Sequence, residues 1–251
     1  MKQTVISSII ALLMIASCTT SADSSKKGSE ADNFNDEQRL PGDSALYGLA
    51  CDGCTDSILV YMPFSGGDPD TIDILNARIN RRVFGRPDVG DEVAVILTDS
   101  NKTVAEMVIN IERLKGLWCY MVQPKLRPIP GAPDGSIARL PKDIPDSLRE
   151  KWFQPREYGI ELLSEHLART VGLQRSADAH DKGPVEYPEL KRYRQWNLLN
   201  GHILLCETKR DSLGSQHVVS TDTADIVLLR RDSLLLRFSD HEQGYYRKNQ
   251  E

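Results

Sequence analysis

The sequence has no apolar run long enough to cross a bilayer as a helix. Its longest, Val5 to Ile15, is about eleven residues and is interrupted by Ser7 and Ser8, whereas a spanning helix needs roughly 20. There is no excess of positive charge either: 31 Lys and Arg stand against 36 Asp and Glu. That balance argues against a general nucleic-acid binder, because phosphate neutralisation dominates such binding. Arg81-Arg82 and Arg230-Arg231 read as solvated strand or loop positions. The hydrolase signatures Gly-X-Ser-X-Gly, Ser-X-X-Lys and His-Glu-X-X-His are missing. Ser65-Gly66-Gly67-Asp68 lacks the Lys and helix of a phosphate loop. Ser215, in Gly214-Ser215-Gln216-His217, reads as part of a turn. His166, His180, His202, His217 and His241 form no His-X-X-X-His pair, and no internal repeat is evident. The expectation is a non-enzymatic protein with no cofactor and no resident metal.

The first residues are more definite. A start with one charge, Lys2, precedes the apolar run, and Ile15-Ala16-Ser17-Cys18 closes it. That length suits the core of an export signal. The tetrapeptide resembles the lipobox of bacterial lipoproteins. The resemblance implies cleavage after Ser17, a diacylglyceryl group on the Cys18 thiol and a lipid anchor holding the chain to a membrane. Thr19 follows, where an Asp would favour the inner membrane in enteric bacteria, so the expected location is the cell envelope, at the outer membrane. Removal of 17 residues leaves 234 of the 251, with 30 basic and 36 acidic side chains, a net of −6. Thr19 to about Pro41 is polar and almost free of large apolar residues. It cannot bury enough surface to offset the entropy of ordering, and residues 18–43 read as a disordered tether.

From Ala45 the pattern is β. Ser57–Met62, Thr71–Leu75, Glu92–Leu97, Thr103–Ile111 and Leu117–Val122 are short apolar or alternating runs bounded by turn residues. Asp99-Ser100-Asn101-Lys102 reads as a hairpin turn. Such strands imply an antiparallel small barrel or sandwich over 44–124. Seven prolines between 124 and 155 disfavour helix and sheet, which makes 125–155 a linker, with a short helix plausible at Ile144–Trp152 after Pro145. Residues 174–188 look like a loop. Asn200-Gly201 between apolar runs predicts a type I′ hairpin, and a second hairpin turns at Arg230-Arg231-Asp232. Trp118, Trp152 and Trp196 read as core residues.

Trp196-Asn197-Leu198, Asn200 to Leu205, Thr223 to Ile226, Asp232 to Leu236 and Gly244 to Arg247 together resemble the lipocalin-like domain of Bacteroidota-type lipoproteins. The match covers 156–248 at most. It implies two strands over Tyr158–Val171, a lipocalin-like β-domain over 156–251, and a small lipophilic ligand in the barrel mouth. Tyr47 to Cys54 is similar to the Cys-X-X-Cys segment of NlpE-type outer-membrane lipoproteins, with Ala50 where those usually carry proline. It implies a competing role in envelope stress or copper sensing through Cys51 and Cys54.

Beyond Cys18 there are four thiols, Cys51, Cys54, Cys119 and Cys206. In an exported chain an even set suggests disulfides. Of the three pairings, Cys51–Cys54 with Cys119–Cys206 is favoured. Soft thiolates also suit Cu(I) or Zn, but no spacing supplies further ligands.

Overall fold

A computed structural model describes residues 40–128, 140, 143–172, 184–211 and 214–248. Cys18, the export segment and the tether as far as residue 39 lie outside these residues, as does His180.

Two barrels share the described chain. The first contains β1 (Leu46–Ala50), β2 (Ile58–Pro63), β3 (Asp70–Asp73), α1 (Leu75–Ile79), β4 (Val83–Phe84), β5 (Glu92–Leu97) and β6 (Ala105–Asn110). The sheet runs β3-β2-β1-β5-β6-β4. Its inward side chains are apolar, and burying them together curls the sheet on itself. Leu59, Tyr61, Ile72, Val93, Val95 and Val108 form one buried core. A parallel bridge from Asp73 to Val104 joins β3 back to the start of β6, with the Asp73 N–H donating to the Thr103 carbonyl at 2.9 Å. The five main strands therefore close in the order 1-2-3-5-4-1, counted along the barrel, with a helix after the third. That is the connectivity of an OB-type barrel. Of the two expected forms, barrel and sandwich, the first unit takes the barrel.

The chain leaves this barrel through α2 (Ile111–Leu114). Asn110 is fully buried and fully used: its Oδ1 accepts from the Arg113 N–H at 2.9 Å, capping the turn, and its Nδ2 donates to Asp91 and to the Arg86 carbonyl. Gly116 then adopts φ +127°, and a Cβ there would meet the Arg247 guanidinium at 2.4 Å. Only glycine allows the chain to turn at this point without displacing Arg247.

The second barrel consists of β7 (Gly116–Val122), β9 (Arg156–Leu162), β10 (Ala168–Val171), β12 (Tyr193–Leu199), β13 (His202–Arg210), β14 (Gln216–Leu229), β15 (Ser233–Arg237) and β16 (Glu242–Lys248). The sheet order β10-β9-β7-β16-β15-β14-β13-β12 is an up-and-down meander, with the last strand pairing back on the first through Tyr246↔Cys119 and Arg247↔Trp118. Between β10 and β12 the seam is held by a Leu167–Gln195 bridge. The Trp196 N–H donates to the His166 carbonyl at 2.8 Å, and the Tyr193 N–H to Thr170 Oγ1 at 2.9 Å. Asn200 and Gly201 take φ of 49° and 86°, the turn their sequence predicts. The short β8 (Lys125–Leu126) pairs with β11 (Val185–Glu186), and α3 (Asp146–Trp152) follows Pro145.

Four details depart from the sequence expectation. Leu117–Val122, assigned to the 44–124 unit, is the first stave of the large barrel, because alternation alone does not say which sheet a strand joins. The 125–155 and 174–188 stretches contribute strands β8 and β11, while the helix expected at Ile144–Trp152 forms as α3. Strand β14 begins at Gln216, well ahead of the Thr223–Ile226 run that carries the resemblance. At the tether's end Asp43 is buried: it accepts from Ala45 N, Asn200 N and the Tyr47 hydroxyl, tying residue 43 to the large barrel's hairpin turn.

One core runs across the junction. Ala94, Met107 and Ile109, on the outer face of β5 and β6, join Trp118, Trp196, Leu198, Ile203 and Leu234 in a single cluster. The small barrel thus seals one end of the large one.

Candidate functional site

The large barrel is solid at its sealed end. Trp118, Trp196, Ile203, Leu205, Ala224, Leu234 and Leu236 are all at most 1% exposed, so no water-sized space adjoins them. Both indoles are satisfied: Trp118 Nε1 donates to the Leu114 carbonyl and Trp196 Nε1 to the Leu163 carbonyl, each at 2.8 Å. The Arg247 guanidinium lies over the Trp118 ring at 4.1 Å. It donates to the carbonyls of Arg231 (2.7 Å), Lys115 (2.8 Å) and Arg113, so each nitrogen of the half-buried guanidinium has an acceptor.

The opposite end differs. Register places Tyr120, Tyr158, Tyr193 and Tyr245 on the inner face there, with Asp222 and Glu207 beside them. Tyr120 meets Tyr245 edge-on at 5.2 Å and Tyr158 at 6.2 Å, the geometry aromatic quadrupoles prefer. Tyr120, Tyr193 and Tyr245 keep part of their surface exposed, in contrast to the sealed end. The Tyr193 hydroxyl donates to Asp222 Oδ2, and Lys191 Nζ donates to both Asp222 oxygens at 2.6 and 2.7 Å. Tyr158 donates to the Pro188 carbonyl at 3.3 Å. Among the described residues the hydroxyls of Tyr120 and Tyr245 have no hydrogen-bond partner. Burial, and at Tyr193 also the Asp222 carboxylate, pushes the Tyr120, Tyr158, Tyr193 and Tyr245 phenols above their ordinary range.

These residues were not singled out from sequence. Their signal is weak but present: each tyrosine sits at an inward register position near the open end of a strand. That is legible only once strand pairing is known.

The four cysteines are free thiols, which overturns the expected disulfides. Cys119 on β7 and Cys206 on β13 face outward, adjacent in sequence to the inward Trp118 and Leu205. Their strands lie four places apart in the eight-stranded sheet, on opposite walls of the barrel, far beyond disulfide reach. Burial also raises the Cys119 thiol, away from reactivity. Cys51 and Cys54 flank the turn between β1 and β2. The Cys51 thiol turns to the Leu49 carbonyl at 3.6 Å, and Cys54 Sγ to the carbonyls of Cys51 and Val60 at 3.2 and 3.3 Å. Both line a cleft of ≈ 150 Å³ with Arg78, Arg86 and Asp88. No group of three or more His, Cys, Asp and Glu side chains able to hold a metal occurs among the described residues. Ser215 lies in the β13–β14 turn. There Asp211 accepts from the Ser215 N–H and from His217 Nε2, at 2.9 Å each. Trp118 and Trp196 are core residues, whereas Trp152 is half-buried on α3, a helix with no buried residue.

No protein-family model and no curated protein matches the chain. Among solved structures, a lipocalin-like protein from Bacteroides thetaiotaomicron is similar at 19% identity, covering 53% of this chain and 95% of that one, with a TM-score of 0.27.

Proposed function

We propose that this chain is a lipid-anchored envelope protein, tethered through Cys18, whose large barrel binds a small, largely apolar molecule at its open end without acting on it. The observation that carries the reading is the contrast between the two ends of the barrel interior. Trp118, Trp196 and aliphatic side chains, with the Arg247 guanidinium stacked on Trp118, fill the sealed end. The open end presents partly exposed tyrosine rings, two hydroxyls without hydrogen-bond partners among the described residues, and one wall of carboxylates. Apolar lining with a few convergent polar groups is the ordinary make-up of a small-molecule site. Since the floor is solid, the ligand lies in the mouth and does not enter a deep cavity. Titration with the neutral fluorophore N-phenyl-1-naphthylamine should give saturable enhancement. Ser220→Trp, which fills an inward position at the mouth, should abolish it, and the outward Thr223→Trp should leave it intact. Equal binding by both variants would place the fluorophore elsewhere and defeat the reading.

The cysteine turn supports a second reading, soft-metal or thiol sensing in the envelope. Its basis is that Cys51 and Cys54 are both free and line one cleft. A mass spectrum of protein extracted from membranes, reduced and offered Cu(I), examines both the anchor and this reading. The expected result is an acylated chain beginning at Cys18 that holds one copper, lost in Cys51→Ser/Cys54→Ser. An unacylated chain rejects the anchor, and a copper-free spectrum rejects the sensor.

A further inference from the structure

We infer that the molecule taken at the barrel mouth is an organic cation, an amine or quaternary ammonium on an apolar body. This rests on the mouth being the binding site. The wall formed by β12, β13 and β14 carries two inward carboxylates: Asp222 pairs across the ladder with Leu205, and Glu207 with Ser220. Glu207 also stands opposite Tyr193 and accepts from Ser220 Oγ at 3.3 Å. Lys191, the cation paired with Asp222, reaches in from the segment preceding β12; Lys209, two residues beyond Glu207 on the same face of β13, is exposed to solvent. The Lys191 side chain is 56% exposed while Asp222 is 22% exposed. Lys191 can therefore swing into water at small cost and leave Asp222 to a ligand. Among the described residues, the cation on the inner face of the opposite wall is Arg156, whose guanidinium is 3.7 Å from the centre of the Tyr187 ring. Its flat face is already taken by that ring.

The neutral lining favours the same chemistry. Tyr120, Tyr193 and Tyr245 offer π-faces, which attract cations more strongly as water is excluded. Their hydroxyls are held in the protonated form, so they add no charge. An anionic head would meet the Asp222 and Glu207 carboxylates, and like charges brought together in a partly desolvated site repel strongly. An ammonium would gain the Asp222 carboxylate and the aromatic faces together.

The test uses three ligands that differ only in the head group, octyltrimethylammonium, octan-1-ol and octanoate, titrated calorimetrically into the full folded chain at neutral pH. Octyltrimethylammonium should bind about tenfold or more tighter than octanoate, the equivalent of one charge-assisted contact. Asp222→Asn should remove most of that preference without changing the affinity for octan-1-ol. Glu207→Gln, at the neighbouring position, should reduce the preference in the same direction and serves if Asp222→Asn fails to fold. Octanoate or octan-1-ol binding as tightly as the cation, with loss in Ser220→Trp, would overturn the cation assignment and leave the mouth as a site for other apolar ligands. Failure of all three to bind would remove the mouth reading and the cation assignment together.

Discussion

Replacing Trp118 by alanine should lower the free energy of unfolding by about 3–5 kcal/mol, the usual cost of deleting a large buried aromatic. The residue is 0% exposed and sits where the two barrels share a core. Its removal opens a cavity that rigid strands on both sides cannot collapse to fill. It also strips the Arg247 guanidinium of the ring it stacks on and leaves the Leu114 carbonyl without its indole donor. Trp152→Ala should cost under about 1 kcal/mol, since that ring is half-buried on a helix with no buried residue. Urea denaturation separates the two as shifts in midpoint at constant slope. Equal costs would mean that the junction is not a continuous core.

The same junction shows where sequence reading stops. Asn200-Gly201 and the Arg230–Asp232 turn are legible because a tight turn is fixed by neighbouring residues, whose positive φ or polar side chains are local properties. Strand runs from Ser57 to Val122 are legible for the same reason: alternation is a short-range pattern. What is not local is the partner of each strand. Leu117–Val122 looks like a continuation of the first unit. It leaves that unit because Gly116 turns the chain and Arg247, more than a hundred residues later, pairs with Trp118. The closure of the small barrel through Asp73 and Val104 is likewise a meeting of residues distant in sequence. The resemblance to lipocalin-like domains led to the meander from Arg156 onward but not to its first stave.

Functional residues follow the same division. The Cys51–Cys54 spacing is visible in sequence, and the structure keeps those two residues on one turn. Cys119 and Cys206 were matched only by parity of number, and the barrel sets them on opposite walls. Tyr120, Tyr158, Tyr193, Tyr245 and Asp222 come from five different strands. No spacing links them, so their convergence at one mouth is a property of register alone.

That convergence gives the protein a sharp alkaline limit. In the unfolded chain a tyrosine releases its proton near pH 10. In the folded chain Tyr193 and Tyr245 hold theirs to higher pH, because burial, joined at Tyr193 by the Asp222 carboxylate, disfavours the phenolate. Above pH 10 the unfolded state therefore binds fewer protons than the folded one, and stability falls as pH rises. The contribution is fully present below pH 10 and is lost progressively above it. Its upper limit is about 1.4 kcal/mol per pH unit for each phenol kept protonated, and less at Tyr193, which is closer to solvent. Tyr120 and Tyr158, shifted in the same direction by burial, add to the effect. Tyrosinate absorbance and far-ultraviolet circular dichroism, followed together, should change in one cooperative step, and Tyr245→Phe should flatten the dependence of unfolding free energy on pH above 10. A gradual tyrosinate titration with the β-sheet signal intact would show that these phenols lie open to water, and the aromatic wall proposed for ligand binding would lose its desolvated character with them.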